Sequence, residues 1–184
     1  MRKRQQAPGE LEDVRAFVNT LDLEQEQEDL ASASALGDWL AAHALVDAPV
    51  RPTNEDLRTA RELREALRAL LEANAHGAPA GDAAATLDAA ARRARLELRF
   101  DEDGRGRLTA GAAGVAGALG RMLAIVDRAM ATGTWEHLKA CRRESCRWAF
   151  YDSTKNHSGV WCNMETCGNR AKASAYRARH AGQS

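Results

Sequence analysis

Large side chains are scarce in this chain, with only nine aromatic residues among 184. The apolar content of 45% is correspondingly soft, because 38 residues are Ala, and the core has to be built from Leu, Val and small side chains. Long apolar runs are missing too. The longest uncharged stretch with hydrophobic character, residues 108–120, is dominated by Gly and Ala. A membrane span needs about 20 apolar residues, so none is expected. The basic start, Met1-Arg2-Lys3-Arg4, leads into no apolar segment, which argues against a secretory signal and places the chain in the cytoplasm. Net charge is absent as well, with 26 basic and 26 acidic residues. The composition excludes collagen-like and disordered classes, and the length allows one domain with an appendage or two small domains.

The zero net charge conceals a split. Residues 137–184 hold nine Lys and Arg against three acids, a net of +6, so residues 1–136 carry −6. All four cysteines, both Tyr and two of the four Trp lie in the basic segment. Such asymmetry marks an anion-facing part joined to an acidic body. The expected division is an acidic unit over residues 1–132 and a basic unit over residues 133–184.

The acidic unit reads as mainly α. Leu11, Val14, Phe17, Val18 and Leu21 recur at helical spacing, followed by a polar stretch over residues 22–29. Leu36, Trp39 and Leu40 mark a second helix near residues 34–44. Thr53-Asn54-Glu55-Asp56 is a start signal for a long helix carrying Leu57, Leu63, Leu67, Leu70 and Leu71. Residues 83–93 read as a shorter helix. Alternation over residues 96–100, a polar loop and residues 107–109 predict a small β-hairpin. A last helix, residues 113–131, uses Val115, Leu119, Met122, Leu123, Val126 and Met130, and stops at Gly133. His43 and His76 are solitary and read as surface or helix-end residues. Asn19, a polar amide within an apolar helical face, serves a backbone contact or lines a ligand pocket; Trp39 reads as core packing and Arg64 as part of a solvated helix face, and both are weaker pocket candidates.

The cysteines carry the chemical signal. Cys141 and Cys146 form one pair, and Cys162 and Cys167 a second, each with a four-residue spacer. Two close pairs separated by a short span fit one structural Zn²⁺ held by four thiolates. An iron–sulfur cluster and disulfides are the competing readings; a redox dithiol is disfavoured because Cys-x-x-Cys is absent. Residues 147–152 and 159–162 read as two strands joined by residues 153–158, and residues 170–180 as a helix whose start follows Cys167. The expected arrangement is a small treble-clef-like finger of hairpin and helix. His157 is a less favoured substitute ligand. Arg142, Arg143, Arg147 and Arg170 are placed to offset the excess negative charge of a four-thiolate site. The final helix adds Lys172, Arg177 and Arg179, and these cations, with Lys155 in the loop, form the candidate nucleic-acid face. The alternative is a solvated basic terminus or one docked on the acidic unit.

Lys139-Ala140-Cys141-Arg142, residues 146–152, Trp161-Cys162-Asn163-Met164 and Cys167-Gly168-Asn169-Arg170 closely resemble the CGNR zinc-finger family. Residues 17–20, 38–40 and 63–67 make the preceding portion similar to the ABATE domain. Together the two likenesses cover nearly the whole chain. They imply a bacterial, stress-induced transcription regulator with a zinc-dependent nucleic-acid-binding module. One departure is the loop of residues 153–159, where the family is richer in Arg and this chain offers Lys155. The expectation is a DNA-binding regulator whose residues 1–132 sense a small-molecule effector or mediate association. An RNA-binding zinc-ribbon-like protein and a zinc-finger adaptor for another protein are the alternatives. No nucleophile–base pair or carboxylate constellation suggests an enzyme.

Overall fold

The computed structural model describes residues 6–77 and 80–180. Helix α1 (Leu11–Val18) buries Leu11, Val14, Phe17 and Val18 and ends at Asn19. The expected polar stretch is a short antiparallel hairpin, β1 (Leu21–Asp22) with β2 (Gln27–Glu28), in the register Leu21 to Glu28. Its turn is set locally. Asp22 Oδ1 accepts the amides of Glu24 at 3.0 Å and Gln25 at 3.1 Å, and Glu26 takes a left-handed φ of 53°.

Helix α2 (Ala33–Ala42) starts at Ser32, whose hydroxyl accepts the Ala35 amide at 3.1 Å. Helix α3 (Asn54–His76) is the longest element, and its start signal is a reciprocal capping box. The Asp56 amide donates to Thr53 Oγ1 at 3.1 Å, and the Thr53 amide donates to Asp56 Oδ2 at 2.8 Å. Gly77, at φ 68°, ends it in the left-handed conformation that favours glycine. Its Leu57, Leu63, Leu67 and Leu71 are buried, with Leu70 half-buried.

Helix α4 (Ala83–Arg93), the hairpin β3 (Leu96–Phe100) with β4 (Gly106–Ala110), and helix α5 (Gly114–Ala131) follow in the expected order. The hairpin comes so close to α5 that a Cβ at Gly120 would sit 2.5 Å from Ala94 Cβ and 2.9 Å from Ala110 Cβ. Met130, expected inside, is 48% exposed, because the buried stripe of α5 has moved to Ala129 by the last turn. No helix among the described residues is long and apolar enough to cross a membrane.

Beyond Gly133 a 3₁₀ turn (Trp135–His137) leads into β5 (Leu138–Ala140), which pairs antiparallel with β6 (Ala149–Tyr151). This corrects the expected strand pairing. The cysteine pair Cys141 and Cys146 lies within the connection of one hairpin, so the strands on either side of it are already neighbours. Residues 159–162 are not a strand, although Val160 O accepts the Arg142 amide at 2.9 Å. A π-helical turn (Met164–Gly168) precedes helix α6 (Asn169–His180). The architecture is mainly α with small antiparallel hairpins and a small C-terminal finger.

The strand pair of the basic segment shares the core of the helices, while the thiols, with half-buried Trp148 and Trp161 against them, form a second, small cluster. Trp135, Leu138, Ala140 and Ala149 belong to the same buried cluster as Val14, Leu63 and Met122. Asn74 Nδ2 donates to the carbonyls of Trp135 and Leu138, both at 2.9 Å. Asn19 completes the join. Its Nδ2 donates to Ala149 O at 2.9 Å and its Oδ1 accepts the Ala149 amide at 2.8 Å, so the side chain acts as a third strand one residue long.

Removing that amide leaves a buried N–H and C=O unpaired. Asn19→Ala is expected to lower unfolding free energy by about 2–4 kcal/mol, at the usual cost of about 1–2 kcal/mol per buried group left unsatisfied. Urea titration of the metal-loaded protein measures it.

Candidate metal centre and the cations around it

The first thiol pair sits in the β5–β6 connection. The Cys141 amide donates to Trp148 O at 2.9 Å, and the amides of Cys146 and Arg147 both donate to Arg143 O, at 2.8 and 3.0 Å. Arg147 then takes a left-handed φ of 46°. That strained position is braced, because Arg147 O accepts from Arg68 Nη1 at 2.8 Å and its guanidinium pairs with Glu72.

The second pair is presented by the π-helical turn. Asn163 Oδ1 accepts the amides of Glu165 at 2.8 Å and Thr166 at 3.3 Å, and the Gly168 amide donates back to Asn163 O. Cys167 therefore stands just before α6. A Cβ at Gly168 would displace the exposed end of the Met164 side chain, which packs over this turn.

The four sulfurs converge, all within 4.8 Å of one another. Cys162 Sγ lies 3.7 Å from both Cys146 Sγ and Cys167 Sγ. A tetrahedron with metal–sulfur bonds of about 2.3 Å has edges of about 3.8 Å, so the spacing fits a zinc-sized ion. Cys141, Cys146 and Cys167 are buried and Cys162 half-buried. Without a cation the thiols cannot all ionise. Interaction with Cys141 and then Cys146, together with burial, pushes the Cys162 thiol up, and Cys141 is the main cause that pushes Cys146 up to about 12. His157 lies outside the group; its Nδ1 is 3.0 Å from Asp152 O and its ring stacks on His137.

The candidate cations divide into two sets. Arg143 Nη1 points at Cys167 Sγ, 3.6 Å away, while Nη2 donates to Glu24 Oε1 at 3.0 Å. Arg170 pairs with the same Glu24 oxygen, and Arg147 with Glu72. Burial works to raise the Glu24 pKa, but Arg143 and then Arg170 outweigh it and hold the carboxyl below its usual value. Arg142, Lys155, Lys172 and Arg177 are exposed and make no ion pair among the described residues. The side chain of Arg179 lies outside the described ones.

No cavity found among the described residues brings the three pocket candidates together. Asn19 is committed to Ala149, and Trp39 stacks on His43 and tilts against Phe17. Arg64 does not lie on a solvated helix face: almost wholly buried, it donates to Glu28 at 2.7 and 2.8 Å and to Thr20 Oγ1 at 3.1 Å, anchoring the base of the β1–β2 hairpin. A depression of about 680 Å³ does exist, but His43, Leu45, Leu108, Arg121 and Ile125 are among its walls, and none of the three. A short polar amide on an apolar face signals a buried partner, whether that is a ligand or a backbone.

Sequence reasoning missed Lys139 and Asp152. Lys139 Nζ, buried beneath the finger, donates to Asp152 Oδ2 at 2.9 Å and to the carbonyls of His157 and Gly159. Asp152 also accepts from Thr154 at Oδ1 and from the Gly159 amide at 2.7 Å, closing the loop of residues 153–158. A charged residue between Leu138 and Ala140 in an apolar strand was the available signal. Burial raises the Asp152 pKa, but Thr154, Lys139 and the Gly159 amide together lower it to about 2.

An aspartate lowered from 3.8 to about 2 stabilises the fold fully above pH 4, and that contribution is lost as pH falls towards 2. It amounts to about 2 kcal/mol. Asp152→Asn is expected to cost about 3–5 kcal/mol at pH 7, since Lys139 is left buried without its anion. The stability gap between wild type and variant should narrow below pH 4, as measured by denaturation at stepped pH.

Two family models match the chain. The ABATE model, described as "Putative stress-induced transcription regulator", matches residues 14–135, and the CGNR zinc finger model matches residues 137–180. No curated protein matches the chain.

Proposed function

The chain belongs to the ABATE family and carries a CGNR zinc finger, and from that premise we propose that it is a transcription regulator that binds DNA through a zinc-stabilised finger. The observation that carries this reading is the convergence of Cys141, Cys146, Cys162 and Cys167 beside a helix displaying Lys172 and Arg177. Zn²⁺ held by the four thiolates would be structural. Bound there, it would cross-link the β5–β6 connection to the start of α6, and all four positions of a tetrahedral ion would be taken. That closed ligand set supports a binding protein over an enzyme.

The finger's own residues would do the recognition. Arg142 projects from the first cysteine pair, Lys155 from the loop held by Asp152, and Lys172 and Arg177 from α6. Arginine and lysine contacts to phosphate supply affinity without reading sequence, whereas a guanidinium directed at guanine reads it. Arg179 belongs to this group by its place in the sequence.

Elemental analysis of the purified chain should give about one zinc per chain, lost in Cys162→Ala. Chelation should abolish binding of labelled duplex, because the reader helix loses its anchor. Affinity should fall steeply with salt, and Lys172→Ala with Arg177→Ala should weaken it by about 1–3 kcal/mol. A zinc-free chain with an ordered finger, or salt-independent binding, would contradict the reading. Stronger binding to single-stranded RNA would move the role to RNA.

A further inference from the structure

The two arginines nearest the metal centre are already holding an anion. Arg143 and Arg170 come from different elements, the first from the cysteine hairpin and the second from the first turn of α6. Both reach one oxygen, Glu24 Oε1. Two guanidinium groups converging on one oxygen form the geometry that also receives a phosphate oxygen. The fork is open to solvent on the Arg170 side, where that side chain is 60% exposed, while Arg143 is 19% exposed and forms its inner wall. Arg143 is oriented by its second contact, to Cys167 Sγ, so the fork takes its shape from the cysteine cluster.

The anion is supplied by the tip of the β1–β2 hairpin. The base of that hairpin is pinned, because Glu28 is held by Arg64. The tip is different: Glu24, Gln25 and Glu26 are exposed. A carboxylate on a tethered turn therefore sits where a backbone phosphate would sit. Arg177 lies seven residues beyond Arg170, two helical turns along the same face of α6, and is exposed. The line from Arg143 through Arg170 to Arg177 thus presents a basic track whose inner end is covered by this chain's own acid.

We infer that Arg143 and Arg170 form a phosphate-binding fork, and that Glu24 occupies it as an internal competitor displaced when a nucleic-acid backbone binds. The inference rests on the nucleic-acid reading above and adds to it a specific phosphate subsite and a built-in brake. Displacement swaps one anion for another on the same two donors. The freed Glu24 takes up a cation from solution, cancelling part of the counterion release that drives binding.

The test uses the full zinc-loaded chain, with fluorescence anisotropy of labelled duplex DNA and single-stranded RNA at several salt concentrations. Glu24→Gln removes the competing charge, and Glu26→Gln makes the same net-charge change two residues along the turn. Glu24→Gln should tighten binding about five- to tenfold and steepen the log–log salt slope by about one, while Glu26→Gln should stay within about twofold of wild type. Adding Arg170→Ala to Glu24→Gln should cancel the gain. Amide exchange of residues 21–28 in the wild type should quicken when duplex is added. Zinc content and thermal midpoint are measured for each variant, and Glu24→Ala replaces Glu24→Gln if that variant loses metal. Equal effects of Glu24→Gln and Glu26→Gln, or unchanged hairpin exchange, would overturn the inference while wild-type binding leaves the proposed function standing. Failure of every variant to bind either polymer at low salt would overturn both.

Discussion

Arg68 is wholly buried, and the placement of the finger turns on its guanidinium. Nη2 donates to Val18 O at the end of α1, Nη1 to Arg147 O beyond Cys146, and Nε to Glu65 one turn back on α3. Burial lowers the Arg68 pKa, yet a guanidinium remains charged at any physiological pH. A buried cation with unfilled donors is costly by several kcal/mol, so the acceptors are in effect obligatory. Helix α1, the cysteine hairpin and α3 must meet where Arg68 stands. Asn19 and Asn74 repeat the device at Ala149, Trp135 and Leu138.

That docking explains how so small a finger keeps its shape. Strands β5 and β6 have three residues each, and a two-stranded sheet of that length is marginal by itself. Its inner face closes the helical core through Leu138, Ala140 and Ala149, while its outer end carries the first cysteine pair. The Lys139–Asp152 pair fixes the return loop, and Gly159 fits there because a Cβ would fall 2.9 Å from Asp152 Oδ2. Convergence of the thiols is the shared result of helix packing, a polar loop lock and a π-helical turn.

Electrostatics follow the same connections. The acidic and basic segments, which sum to zero, are partly neutralised against each other. Glu24 meets Arg143 and Arg170, and Glu72 meets Arg147. The charge split therefore both fastens the acidic segment to the basic one and supplies a basic track. The exposed Arg170–Glu24 pair contributes little to stability, about 0–1 kcal/mol, so it is cheap to exchange for an external anion.

Much of the fold was legible in local sequence. Helical periodicity located α2 to α5 to within a few residues, Thr53 and Asp56 announced the capping box, and the cysteine spacing pointed to a four-thiol cluster, because each depends on neighbours a few residues apart. The β1–β2 hairpin and the pairing of β6 with β5 escaped it, since strands of two or three residues carry almost no periodic signal. A backbone role for Asn19 was legible, but its partner Ala149, and the buried use of Arg64 and Arg68, escaped for another reason. A buried polar side chain announces in sequence that it needs partners, but those partners lie 36 to 130 residues away for the Arg64–Glu28 and Asn19–Ala149 bonds. Only packing of the helices decides whether the open valences meet a ligand, a carboxylate or a strand edge, and here it brought them to the chain itself.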